Sequence, residues 1–173
     1  PVTEEITGVD LVEWQLRVAS GEVLPKRQDE LSITGWAMEA RLYAEDPAKG
    51  FLPSVGRLEE FELARVERLD TGVQVGDTIS PYYDPMIAKI ISWGRTRETA
   101  GNRLQDAVQR LQIWPVKTNA VFLAQCLLDP DVTDGNVDTG LIERKVDVLT
   151  AKPTAATDEI KVGALEALGR DVH

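Results

Sequence analysis

Residues 35–46, GWAMEARLYAED, alternate in polarity along the chain. Side chains of an extended strand point to opposite faces with a period of two. Trp36, Met38, Ala40, Leu42 and Ala44 therefore share one apolar face, and Ala37, Glu39, Arg41 and Tyr43 share the other. Helical periodicity appears elsewhere. Asp10 is placed to cap a helix over residues 11–20, with Val12, Leu16 and Ala19 on one side and Gly21 at its stop. Thr96 is placed to cap a helix over 97–112, whose stripe is Leu104, Ala107, Val108 and Leu111. Pro115 interrupts, and a second helix runs over 119–128, ended by Asp129-Pro130.

Between these segments lie shorter signals. EDPAKGFLPSVG is rich in Pro and Gly and reads as a loop. RLEEFEL, VERLDTGVQV and MIAKIISWG read as strands, separated by turn residues that favour antiparallel pairing. DVTDGNVDTG reads as a loop and LIERKV as a short strand or helical turn. Beyond Thr150, TAKPTAATDE reads as a linker and EIKVGALEALGR as a short helix weakened by Gly163. Strands cluster instead of alternating with helices, which predicts an α+β fold.

Composition narrows the function classes. The 173 residues suffice for one domain with appendages. Nineteen Lys and Arg against 29 Asp and Glu leave a net charge of −10, which argues against a nucleic-acid backbone as partner. No apolar run is long enough for a transmembrane helix, so no membrane partner is expected. The first residues, PVTEEITGVD, are acidic and polar, without a secretory signal or an initiator Met, and they do not read as a natural start. Cys126 is the only cysteine, so no internal disulfide forms and a reducing compartment fits. It lies in VFLAQCLL without a cationic neighbour and reads as a buried, inert thiol. The single histidine, His173, is the last residue, which leaves neither a Ser-His or Cys-His pair nor a Cys/His metal site; no metal ligand is assigned.

Pattern alone assigns little chemistry. GVQVGD has the wrong spacing for a phosphate-binding loop. DPDVTDGNVDTG has a passing likeness to a calcium loop through Asp129, Asp131 and Asp134. It lacks the terminal Glu, and Pro130 spoils the pattern, so a turn-rich acidic loop is the simpler reading. Arg41 on a polar strand face is either solvated surface or the floor of an anion site. Tyr82, Tyr83 and Asp84 before Pro85 read as a tight corner with packed rings and a capping carboxylate.

Five stretches in order resemble the biotin carboxylase family: PVTEEITGVDLVEWQLRVASGE, EARLYAEDPAKGFLPSVGRL, DTGVQVGDTISPYYDPMIAKII, VKTN and DGNVDTGLIERK. Together they span residues 1 to about 146. The resemblance is to α-subunits of acyl-CoA carboxylases of the methylcrotonyl-CoA or propionyl-CoA type. It implies the C-terminal helix and connector of an ATP-grasp region over residues 1–30. A biotin carboxylase C-terminal domain of antiparallel sheet with flanking helices follows over 31–149, and 150–173 is a linker and tail without assignment.

The family's reaction uses ATP to activate bicarbonate as carboxyphosphate, whose CO2 is attacked by a deprotonated biotin nitrogen. The resemblance therefore implies biotin, ATP and Mg2+ as cofactors. The arginine of the family's E-x-R-x-x-A-E-D stretch matches Arg41 and is implied to balance the charge on the ureido oxygen of biotin. Guanidinium suits that role because it stays charged and offers a rigid fork of donors. Asp84 matches an aspartate near the biotin pocket, and Thr139 matches a position packed near the ATP adenine.

The family's glutamate base, its metal carboxylates and its ATP-grasp lid precede the position matching Pro1, and its biotin attachment sequence lies downstream. The chain by itself is therefore expected not to turn over. Implied partners are a biotin carboxyl carrier domain, a carboxyltransferase β-subunit and a second biotin carboxylase, contacted near Arg68 and Asp70 or else leaving those charges merely solvated. The compartment is bacterial cytoplasm or mitochondrial matrix. A second reading is a non-catalytic C-terminal module that serves assembly or dimerisation. A third, an unrelated acidic α+β binding domain, requires the five ordered motifs to coincide by chance.

Overall fold

The computed structural model describes residues 1–63 and 65–151; the linker and helix expected beyond Thr150 fall almost wholly outside them. The helices are α1 (Val2–Thr7), α2 (Leu11–Ala19), α3 (Arg97–Gln109), α4 (Ala120–Leu128), α5 (Pro130–Asp134) and α6 (Leu141–Leu149). The strands are β1 (Trp36–Tyr43), β2 (Glu45–Asp46), β3 (Leu52–Pro53), β4 (Gly56–Arg57), β5 (Glu60–Glu62), β6 (Arg68–Thr71), β7 (Thr78–Ile79), β8 (Met86–Gly94) and β9 (Gln112–Trp114). The arrangement is α+β, as the clustering of strands predicts.

The main sheet has three antiparallel strands in the order β1-β8-β6. Register fixes its two faces. Ala40 opposes Ile90, which opposes Leu69; Leu42 opposes Ala88, which opposes Thr71. These rows face the core with Leu104, Ala107 and Val108 of α3. Leu42, Ile90 and Leu104 are at most 1% exposed, and full burial of such a side chain is worth about 1.5–3 kcal/mol. Ser92 Oγ, on the same face, donates to the Ala100 carbonyl at 2.7 Å and so stitches β8 to α3.

The opposite face is polar. Its rows are Glu39–Ile91–Arg68 and Arg41–Lys89–Asp70. Helix α1 packs against β1 and β8, and its Glu4 accepts from Arg68 Nη1 at 2.6 Å. A bulge interrupts the register between Leu42 and Tyr43: Tyr43 opposes Met86, and Ile87 has no partner across the ladder and joins the core. Bulges bend a strand and re-aim its side chains.

The caps are where the sequence puts them. Asp10 accepts from Glu13 N at 2.8 Å and Thr96 from Thr99 N at 3.1 Å. Other expectations need correction. Helix α3 stops at Gln109, and Gln112–Trp114 pair with β5. Residues 130–134 are not loop but helix, with Pro130 at its first turn and Asp129 as cap. Residues 141–149 form a full helix. Tyr82 and Tyr83 do not pack among the described residues; they are 88% and 83% exposed. The apolar side of α2 is likewise uncovered among the described residues, with Val12 and Leu16 at 62% and 66% exposure.

Candidate functional site

Arg41 stands on the polar face of β1, and its side chain is 58% exposed. Its Nε donates to Glu39 Oε1 at 2.9 Å. Glu39 is two residues earlier on the same face, and its own side chain is only 12% exposed. The arginine is thereby aimed by a nearly buried carboxylate while its own side chain stays more than half exposed. Glu39 first, and the Tyr43 hydroxyl second, hold its pKa above the ordinary arginine value, so it is a permanent cation.

A second cation lies across the ladder. Lys89 is directly opposite Arg41. Like charges directly opposed on a sheet repel. The carboxylate on the far side of Lys89 is Asp70, but Arg68 already engages both Asp70 oxygens, at 2.9 and 3.0 Å. Arg68 is also within 3.8 Å of Glu5. It is the main reason that Asp70 and Glu4 stay below the usual carboxylate range. An open hollow of about 520 Å³ lies beside Lys89 and Asp70, lined also by Thr71, Gly72 and Met86. The hollow does not include Arg41; on this face the cations Arg41, Lys89 and Arg68 stand among the carboxylates of Glu39, Asp70, Glu4 and Glu5.

Asp84 sits in the turn before β8, where it accepts from Met86 N at 2.9 Å. That turn is tied to the end of β1 by Ala44 N donating to the Pro85 carbonyl at 2.8 Å. Burial, and then the charge of Asp84, push the Glu45 carboxyl above its ordinary value. Asp84 therefore belongs to the same end of the sheet as Tyr43 and Glu45. Thr139 lies elsewhere, in an exposed turn before α6. Its neighbour Asp138 accepts from Gly140 N at 2.9 Å and pairs with Arg144 at 3.0 Å. Helix α6 packs on α4. Among the described residues, no hydrogen bond or ion pair links Thr139 to Arg41 or Asp84.

Other candidates resolve into structure. Lys145 Nζ lies 2.7 Å from Asp129 and 2.6 Å from Asp131, so two carboxylates of the calcium-like run share one lysine within the chain. Among the described residues, no group of three or more His, Cys, Asp or Glu is placed to hold a metal ion. Cys126 is partly buried, and burial pushes its thiol up to about 11. An apolar recess of about 390 Å³, lined by Trp114, Phe122 and Leu149 with Asp46 and Lys117 at its edge, contains none of Arg41, Asp84 or Thr139. No described helix is long and apolar enough to cross a membrane. The sequence reading missed Glu39 as a partner of Arg41 and missed Lys89 altogether; only the register of β1 on β8 brings Lys89 beside Arg41.

Comparison with known proteins supplies the context. Residues 39–144 match the biotin carboxylase C-terminal domain, and residues 1–27 match the carbamoyl-phosphate synthase L chain ATP binding domain. The chain is 44% identical over 170 residues to the mitochondrial methylcrotonoyl-CoA carboxylase subunit alpha of Arabidopsis thaliana, covering 96% of this chain and 23% of that protein. It is 42% identical over 164 residues to the propionyl-CoA carboxylase alpha chain of Ruegeria pomeroyi, covering 82% of this chain and 24% of that one. The structure is similar to the biotin carboxylase domain of the Hydrogenobacter thermophilus 2-oxoglutarate carboxylase, solved as a dimer with MgADP, ADP and bicarbonate. That match has a TM-score of 0.83 at 39% identity over 88% of this chain and 34% of the other. The biotin carboxylase subunit of a pyruvate carboxylase is similar at a TM-score of 0.84 and 34% identity, over 88% of this chain and 34% of that chain. The chain spans about a quarter of the length of the curated relatives it matches. With 106 of its 173 residues inside that domain match (39 to 144 inclusive), the chain belongs to the biotin carboxylase C-terminal domain family.

Proposed function

We propose that this chain is the C-terminal part of a biotin carboxylase within a biotin-dependent acyl-CoA carboxylase, and that Arg41 is its catalytic residue. The observation that carries the reading is the placement of Arg41: an exposed guanidinium, aimed by Glu39 from a regular strand, inside the matched region. A donor on a strand is held more precisely than one on a loop. Its task is to meet the negative charge that builds on the ureido oxygen of biotin as the ring nitrogen loses its proton. A fixed cation aimed at a developing charge lowers the barrier without reorganising when the reaction occurs.

The same reading assigns the rest. Asp84 borders the biotin pocket, and Thr139 packs near the adenine of ATP. ATP, Mg2+ and bicarbonate are handled mostly by residues outside this chain. Residues 1–30 close the ATP-grasp region, 31–149 are the C-terminal domain, and 150–173 carry no assignment. The partners are a biotin carboxyl carrier domain, a carboxyltransferase β-subunit and a second biotin carboxylase, in the mitochondrial matrix or the bacterial cytoplasm. The solved relative that is a dimer supports the last partner, and it equally favours a second reading in which the domain serves assembly alone.

The test is Arg41→Ala in the complete carboxylase. Biotin carboxylation should slow about a hundredfold or more, the scale of losing one oxyanion donor. Bicarbonate-dependent ATP cleavage without biotin should suffer much less. Equal losses in both activities would mean that Arg41 is structural.

A further inference from the structure

In the order β1-β8-β6, strand β1 is an edge. Its outer backbone groups need partners, since unpaired peptide groups next to a core are costly. One residue supplies them at the positions that matter. Asn119 Oδ1 accepts from Tyr43 N at 2.9 Å, and Asn119 Nδ2 donates to the Arg41 carbonyl at 3.2 Å. The Asn119 backbone N–H donates to the Tyr43 carbonyl at 3.1 Å. Side chain and backbone together stand in for a fourth strand over three residues.

We propose that Asn119 is the positioning residue for Arg41, holding the strand on both sides of Leu42 so that the guanidinium is presented at a fixed angle; this rests on the catalytic role proposed for Arg41. Three observations carry it. Asn119 is 5% exposed, so its amide is committed to these bonds. It is the N-cap residue of α4 yet makes no side-chain cap bond there, so the usual reason for an asparagine at that place is not the reason here. Its two side-chain bonds straddle the bulge between Leu42 and Tyr43, the point at which β1 is least constrained by β8. Arg41 carries its charge at the end of a long side chain, so a small rotation of its backbone displaces the guanidinium several-fold further.

The connector that delivers Asn119 is itself anchored. Lys117 N donates to Ser54 Oγ at 3.0 Å, and Ser54 N donates to the Ala44 carbonyl at 2.7 Å. Lys117 Nζ meets Asp46 at 2.7 Å. Only a side chain with donor and acceptor on one carbon at this reach serves both groups. Aspartate lacks the donor, glutamine is one carbon too long, and serine is too short.

The test is a double-mutant cycle in the complete carboxylase, with Asn119→Ala, Arg41→Ala and the pair. Biotin carboxylation and biotin-independent ATP cleavage are both measured, alongside thermal unfolding. Asn119→Ala should slow biotin carboxylation about tenfold, less than the roughly hundredfold of a full 1 Å misplacement, while ATP cleavage holds. In the Arg41→Ala background the same substitution should cost less than about twofold more, because coupled residues are not additive. If Asn119→Ala does not fold, Asn119→Ser makes the same test, since its short hydroxyl buries no charge and cannot serve both Tyr43 N and the Arg41 carbonyl. Equal slowing of both activities, or a full additional loss on top of Arg41→Ala, overturns the positioning role alone. A wild-type carboxylation rate in Arg41→Ala by itself overturns the proposed function beneath it.

Discussion

Glu39 and Arg41, two residues apart on one face of β1, form an ion pair in which the acid is nearly buried and the base is mostly open. Such asymmetry separates aim from action. The carboxylate is nearly enclosed, and the guanidinium, held by Glu39 and Tyr43, is still more than half exposed. Glu39→Gln keeps an acceptor for Arg41 Nε, and Glu39→Ala removes it. Within the proposed function, the alanine variant should lose about tenfold in biotin carboxylation and the glutamine variant much less. Steady-state rates of the two variants check this, and equal losses would show that charge, not orientation, is what Glu39 supplies.

Adjacent residues on β1 should report on different properties. Leu42 is completely buried, and Leu42→Ala should destabilise the domain by about 2–5 kcal/mol. Arg41→Ala, one position away on the open face, should cost less, about 1 kcal/mol, because it leaves the nearly buried Glu39 carboxylate without its partner. Urea unfolding of both variants makes the comparison. A large loss of stability in the arginine variant would assign Arg41 to the scaffold.

The Arg68 cluster gives a dependence on pH with a definite sign. Arg68 holds Glu4 and Asp70 below the usual carboxylate range. A carboxylate whose folded pKa is lowered adds stability that is present above its unfolded value, near pH 4. That stability drains away as the pH falls through the folded value. Stability should therefore decline on acidification from about pH 5 to pH 3. The decline should be shallower in Arg68→Met, whose loss at neutral pH should not exceed about 1 kcal/mol because the pairs are partly exposed. Parallel slopes in the two proteins would remove Arg68 as the cause.

Cys126 should be slow to react. With its thiol pushed up to about 11 by burial, the thiolate at pH 8 is about a hundredfold scarcer than for a free cysteine. Alkylation by iodoacetamide should be slow in the folded protein and rapid in denaturant, followed by mass spectrometry. Fast labelling of the folded protein would show that helix α4 opens readily.

Much of the scaffold was legible because its signals are local. Asp10 and Thr96 announce helix starts through their own side chains, and the alternation from Met38 to Ala44 displays its core face directly, although Trp36, expected on that face, is 53% exposed. What escaped depends on distant partners. Gln112–Trp114 look like the end of a helix until Glu60–Glu62 arrive to pair with them. Asp129-Pro130 reads as a stop, but the same two residues are also a cap and a first helical turn, and here they serve as both. The apolar stripe of α2 is plain in the sequence, yet nothing described covers it. At the candidate site, Arg41 and Asp84 draw notice from the residues around them. Lys89 and Asn119 do not, because one acts through strand register and the other through 78 residues of separation from Arg41.

The three bonds of Asn119 have one more consequence, and it concerns other molecules. A bare sheet edge is a template on which a strand from a neighbouring chain can grow. Across Arg41–Tyr43 that template is sealed, since both carbonyls and the Tyr43 N–H are already spoken for. A single residue, through its side-chain amide and its backbone N–H, thus closes this stretch of β1 to a pairing strand from another chain.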